Sequence, residues 1–419
     1  MPEIKVCILI PHAPTHTGSS IQALHLAKAL KRLGIQVIMV FGLTLHSRDF
    51  SPCRDLSFEE KLNAAGIAYY KKPENILTKR DSYFFSFKLF WRLRRDYQIV
   101  YSNGMPLLVA WLVPFFKLMG KKVVIKMTGL GFNDPESLRK VDKHHRVSLK
   151  LLTLTDRFIG TSGALCDAYR NSKLFSPNKL VQIPNGVDTA LFSPISGPEA
   201  KQALRKKLGL PVQDKIITYV GGIRRAKGID LLINNWEQLL EQLPDAALLL
   251  IGPFCPVCSG EISDPEFLDL LKRTIGLRVG RSCASSELLL LSDTAQRVHF
   301  VGVQDNIRQY LQASDVFLFL SRQEGMPNAV LEAMAAGLPC VSLDIKEISG
   351  DILANPDVGI TLPEAKADEW VKIVLDLLNN EEKRFKIGQA ARQAVERKFT
   401  LMSVAEKHYK LYQELLENK

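Results

Sequence analysis

A chain of 419 residues, 46% hydrophobic and 24% charged, is long enough for two or three globular domains and too apolar to be disordered over most of its length. No apolar run reaches the roughly 18 residues that a spanning helix needs, and MPEIKVCILI has no basic leader before its apolar run, so neither a membrane span nor a secretory signal is expected. Charge is divided unevenly. Residues 1–185 hold 28 Lys/Arg against 13 Asp/Glu, a net of +15, while the rest nets −4, so the first half suits an anionic partner such as a membrane surface, a lipid phosphate or nucleic acid. Seven cysteines, an odd count in a long chain, read as reduced thiols of a cytoplasmic protein.

The apolar pattern predicts a strand over residues 4–10, an amphipathic helix over 21–33 stopped by Gly34, and a strand over 36–41. Further strands are expected at 98–102, 122–127, 157–161 and 180–183, with a helix over 107–119. Residues 184–194 (PNGVDTALFSP) have the composition of a linker. Alternation then restarts, with strands expected at 215–220, 246–251, 298–301, 316–320, 339–343 and 359–361. After Ala365 the chain reads as helix, broken near 379–381 and 399–400. Two α/β units of similar size, each with a parallel sheet, are the expected architecture. Residues 253–291 are long for a connection and read as an insertion with one or two short helices.

The segment at 314–343 (SDVFLFLSRQEGMPNAVLEAMAAGLPCVSL) is the most informative. A strand, a short loop and a helix follow one another, with Pro327 in the first turn and Gly337 just past the end. N–H groups of Gly325, Asn328 and Ala329 at such a helix start form an anion site suited to a diphosphate. Glu324 and Glu332 flank that site and can accept hydrogen bonds from hydroxyls, one on a sugar and one on a ribose. A bare pair of glutamates at this spacing is usually one loop residue and one helix residue. The Gly-Met-Pro-Asn turn and the AMAAGLP tail give this pair its meaning.

This segment resembles the signature of family-four retaining glycosyltransferases. The resemblance runs along nearly the whole chain: Ile183-Pro-Asn-Gly-Val-Asp188, Lys227-Gly228-Ile229-Asp230 after Gly221-Gly222, His299-Phe-Val-Gly302, Ala313-Ser-Asp-Val316, and Phe399-Thr400 before a last helix. It implies the GT-B fold, two Rossmann-like domains facing across a cleft. An acceptor-side domain would span residues 1–185, a donor domain 186–399, and the helix in 400–419 would cross back to the first. Lys227 would neutralise the donor diphosphate and share catalysis with Glu324, which would contact the donor sugar. Glu332 would bind the ribose. Gly325, Met326, Pro327, Asn328 and Ala329 would line the donor site, with Gly18 from a loop in which the family is glycine-rich. Gly222 stands where the family usually has Arg, so Arg224 or Arg225 would reach the phosphates. Thr128, before Gly129, replaces a customary His on the acceptor side, so that residue's donor-sugar contact is either lost or supplied by His12 or His16.

The reaction implied is transfer from a nucleoside-diphosphate sugar to a glycan or lipid-linked acceptor with retention, in cell-surface polysaccharide or glycolipid biosynthesis. No cofactor is expected, and no metal, since Asp-x-Asp is absent. Other readings within the fold are a synthase or epimerase with a small soluble acceptor and a non-catalytic binding subunit. A dinucleotide-binding dehydrogenase would need a G-x-G-x-x-G after the first strand, which is missing. Cys255 and Cys258 could hold zinc with Cys283, but no second C-x2-C or spaced His pair completes the set. Residues 79–97 (KRDSYFFSFKLFWRLRRDY) interleave aromatic and basic side chains. Such a helix buries some rings in a core, or lays them in a membrane surface with its basic groups on anionic headgroups. Nucleic acid is not expected, because no recognised module accompanies the segment. A cytoplasmic protein, peripheral on the inner membrane face, is the resulting expectation.

Overall fold

The computed structural model describes residues 3–12, 17–42, 56–73, 76, 78–105, 107–131, 133–141, 145–254, 264–275, 297–322, 324–345, 351–353 and 355–417. The chain forms two compact units. The first comprises Met1–Gly186, Glu324–Met326 and Leu401–Lys419; the second comprises Val187–Gln323 and Pro327–Thr400.

Among the described residues the first unit holds seven strands: β1 (Lys5–Ile10), β2 (Gln36–Phe41), β3 (Ala68–Lys71), β4 (Ile99–Asn103), β5 (Lys122–Met127), β6 (Arg157–Gly160) and β7 (Leu180–Gln182). They lie in the order β3-β2-β1-β4-β5-β6-β7, all parallel. Parallel strands need crossovers that cover both faces, so these strands are apolar on both sides. Val6, Ile8 and Ile10 enter one core with the helices Gly18–Arg32 and Leu401–Glu417. Cys7 and Leu9 enter the opposite core with Lys79–Arg92, Leu107–Leu118 and Gly163–Ser172. The last helix therefore packs into the first unit, contributing Leu401, Val404, Leu411, Tyr412 and Leu415. Strand β3 is absent from the sequence expectation. Its four residues sit at the sheet edge and are partly exposed, so they lack the buried apolar run that marks the others.

The second unit holds β8 (Lys215–Val220), β9 (Ala246–Ile251), β10 (Val298–Gly302), β11 (Val316–Phe319), β12 (Cys340–Leu343) and β13 (Ile360–Leu362). Their order is β10-β9-β8-β11-β12-β13, again parallel. Asp315, just before β11, joins Lys201 and Arg205 of the helix Gly197–Lys207 at 2.6 and 2.7 Å and accepts from Ile216 N of β8 at 2.7 Å. The three helices expected after Ala365 are Trp370–Asn379, Glu381–Lys398 and Leu401–Glu417, with breaks where the sequence places them. Within the 253–291 insertion, the helix Pro265–Ile275 is seen, while Cys255, Cys258 and Cys283 lie outside the described residues.

In each sheet the order reverses at one point, between β1 and β4 and between β8 and β11. Open parallel sheets bind ligands at the carboxyl ends of the strands beside that reversal. The loops after those strands carry most of the singled-out residues.

Candidate active site

In the second unit, β8 runs into Gly221-Gly222 and then a single 3-10 turn, Arg225–Lys227. Gly228 follows with φ +72, and a Cβ there would lie 1.8 Å from the carbonyl oxygen of Leu320, so no other residue fits. The loop after β8 is thus pressed against the end of β11. Arg322 fastens the two together. Its guanidinium forks onto the buried Asp230 carboxylate at 2.8 and 3.0 Å and donates to the Arg225 carbonyl at 2.7 Å, while its own N–H donates to Ala226 O at 3.0 Å. Lys227 sits in the turn so held. Arg225 turns to Asp264, 2.7 Å from its Nε, and lies over the Phe267 ring, whereas Arg224 makes no ion pair among the described residues.

The loop after β11 leads to Pro327 and the helix Asn328–Ala335. A helix leaves its first N–H groups without intrahelical acceptors, and Pro327 caps this one without a side-chain bond. Glu332 lies in this helix, 8% exposed, and burial pushes its carboxyl up to about 8. No hydrogen bond or ion pair reaches that carboxyl among the described residues. A buried carboxyl in this state is suited to hydroxyl donors from a ligand.

In the first unit, the segment Glu324–Met326 lies against the end of β5. A Cβ on Gly325 would be 2.0 Å from Thr128 O and 2.9 Å from Gly129 N, so the structure brings Gly325, Thr128 and Gly129 together. Asn185 N donates to the Met326 sulfur at 3.0 Å, and Lys126 Nζ, also buried, donates to Asn185 Oδ1 at 2.7 Å. Burial pushes the Lys126 ammonium down to about 8. Asn133 Oδ1 accepts from Met105 N and Thr128 N, tying the ends of β4 and β5. His12 Nε2 lies 3.2 Å from both Thr17 Oγ1 and Ser19 Oγ at the start of the helix that opens with Gly18. His16 lies outside the described residues. Arg322, Asn133 and Lys126 were not singled out from the sequence, and Asp230 stood there only as the end of the Lys227–Asp230 motif, without a role. The one available signal was Asp230 itself, an acid beside an apolar run that needs a cation if buried.

Two Rossmann-like domains with polar loops at both sheet reversals define the double-domain architecture of GT-B proteins. The crystal structure of Anabaena HepE in complex with UDP and glucose shares it, with a TM-score of 0.74 over 98% of this chain and 100% of that one at 16% identity. Residues 16–191 match the model of Glycosyltransferase Family 4, and residues 200–394 match Glycosyl transferases group 1. The chain belongs to this glycosyltransferase family. It is 29% identical over 217 residues to D-inositol 3-phosphate glycosyltransferase of Corynebacterium aurimucosum, covering 52% of this chain and 47% of that protein. It is also 29% identical over 265 residues to the lipopolysaccharide core biosynthesis mannosyltransferase LpsB of Rhizobium meliloti, covering 60% and 67%. The chain spans about half the length of the curated relatives that it matches.

Proposed function

We propose that the protein moves a sugar from a nucleoside-diphosphate sugar to a hydroxyl of a glycan or lipid-linked acceptor, with retention and without a metal ion. The observation that carries this reading is Glu332: a buried residue whose carboxyl has no hydrogen bond or ion pair among the described residues, in the helix that follows the loop at the reversal of the second sheet. A ribose diol supplies the donors it lacks. Lys227, in a turn fixed by Gly228 and Arg322, neutralises the diphosphate as it leaves, and Arg224 rather than Arg225 assists, because Arg225 is engaged by Asp264. Glu324 accepts from the donor sugar. The acceptor hydroxyl attacks the face from which the diphosphate departs, so the protein's part is positioning and stabilisation of leaving-group charge. One charged hydrogen bond in that transition state, about 2–4 kcal/mol, corresponds to roughly 30- to 1,000-fold in rate. UDP and glucose in the HepE structure support a nucleotide sugar as donor. The lipopolysaccharide relative and the basic first half support an acceptor presented at the cytoplasmic face of a membrane.

The test uses a panel of UDP- and GDP-sugars, with turnover and calorimetric nucleotide binding as readouts. Lys227→Ala is expected to weaken binding of the nucleotide, and EDTA to leave turnover unchanged. Glu332→Gln weakens free nucleotide and nucleotide sugar alike, while Glu324→Gln spares the free nucleotide and lowers turnover. Equal losses of free-nucleotide affinity in the two glutamate variants, or full dependence on added magnesium, contradict the assignment.

A further inference from the structure

The helix Lys79–Arg92 in the first unit divides its aromatic side chains between two environments. Phe90 is fully buried in the core, whereas Phe84, Phe87 and Trp91 are 72%, 37% and 56% exposed. Their spacing of three and then four puts the exposed three on one face. The Phe87 ring meets Phe115 of the helix Leu107–Leu118 edge-on at 4.9 Å, so the two helices lie side by side. That second helix adds Trp111 and Leu118, seven residues apart and 42% and 88% exposed. Water is a poor solvent for such a cluster, and nothing in the core of the unit requires these rings to face outward.

Charge surrounds this apolar face. Residues 79–97 hold six Lys/Arg and two Asp/Glu. Arg80, Lys88, Arg92 and Arg95 are exposed, and with Arg94 they enter no ion pair among the described residues. The Arg94 guanidinium lies over the Trp91 ring, 4.8 Å from its centroid, so a cation and an apolar ring are presented together. Exposed aromatic rings ringed by unpaired guanidinium and ammonium groups complement an anionic lipid surface: the rings enter the boundary between headgroups and acyl chains, and the cations meet the phosphates.

We infer that the paired helices Lys79–Arg92 and Leu107–Leu118 form a face that docks on anionic lipid bilayers. This surface does not depend on the sugar-transfer reading, and its test needs no turnover. The chain has four tryptophans; Trp236 and Trp370 are fully buried, so any change in emission on docking comes from Trp91 and Trp111. The full chain is mixed with vesicles of phosphatidylcholine alone or with about one third phosphatidylglycerol, and both cosedimentation and tryptophan emission are followed. Binding to the anionic vesicles with a blue shift is expected, falling as salt is raised. Each basic residue near such a surface changes partitioning by about fivefold, so Arg94→Gln with Arg95→Gln is expected to lower it by more than tenfold. Phe84→Ser with Trp91→Ser is expected to remove most of the blue shift and of the salt-resistant binding. Calorimetric nucleotide binding in these variants reports that the fold is kept and separates failure of this inference from failure of the donor site. No binding to anionic vesicles at low salt, or binding indifferent to both double variants, overturns the proposal. So does a concentration-dependent dimer without lipid that Phe84→Ser with Trp91→Ser dissolves, since the face would then join two copies of the chain.

Discussion

The two sheets share a topology but fasten the loops at their reversals in different ways. In the second unit the fastening is ionic and steric: Arg322 is locked on Asp230, and Gly228 is pressed onto a carbonyl. In the first unit the strands and their ends are joined mainly by neutral hydrogen bonds, such as Thr128 N to Asn133 Oδ1 and Asn103 Nδ2 to Ser19 O, and two buried atoms, Tyr101 Oη and Asn103 Oδ1, have no partner among the described residues. A forked pair around a buried carboxylate resists rearrangement, while a network with open acceptors has alternatives. If the proposed function holds, the contrast gives the diphosphate a rigid seat and the acceptor a more adaptable surface.

The sharpest way to break the contrast is to add one methyl group to the rigid side. Gly228→Ala forces a Cβ into the Leu320 carbonyl and also demands a left-handed backbone, so urea denaturation is expected to show a loss of about 3 kcal/mol or more. Next in size is Asp230→Asn, which leaves the Arg322 guanidinium to the more exposed carboxylate of Glu364, 3.0 Å from its Nε. The pair is largely buried on the Asp side and about a quarter exposed on the Arg side, so a loss of about 2 kcal/mol is expected, with a fall in nucleotide affinity measured by calorimetry.

The smallest effect has the opposite sign. The Glu332 carboxyl is held near 8 in the fold against an ordinary value of 4.5. Above pH 4.5 the unfolded chain ionises while the folded one does not, so this group makes stability fall as pH rises toward about 8. Glu332→Gln removes that dependence. The variant is expected to match the parent near pH 4 and to exceed it by about 1–2 kcal/mol at pH 8, as read by denaturation at both pH values. A variant that gains stability while losing nucleotide affinity is what a ligand-binding carboxyl predicts, and a purely structural glutamate predicts loss of both.

Much of this was legible in the residues. Strands buried on both faces announce themselves as short apolar runs, which is why twelve of the thirteen strands among the described residues were expected within a residue or two, and why the half-exposed edge strand Ala68–Lys71 escaped. The Lys227–Gly228 turn was legible through the family resemblance, and the Glu324–Glu332 segment through its Gly-Met-Pro-Asn turn, in which glycine and proline mark a break between strand and helix. Arg322 and Asp230 stand 92 residues apart in the chain, and nothing local pairs them. Nor does the order of residues in 79–97 tell which rings turn inward; only the packing of Phe90 against Phe116 and Tyr97 does.

In the chain the second unit lies between parts of the first: the chain leaves the first unit at Gly186, touches it again over Glu324–Met326 and re-enters at Leu401, and a Cβ on Gly186 would lie 3.1 Å from Leu401 Cα. That arrangement reverses the usual order of birth on the ribosome, where the domain made first folds first. One face of the first sheet, with Val6 and Ile8, waits for Val404, Leu411 and Tyr412, which emerge only after the whole second unit. The second unit is complete by Thr400 and can close while the first is still missing a wall. The older half of the polypeptide is thus the younger half of the fold, and it carries an uncovered apolar face through most of its own synthesis.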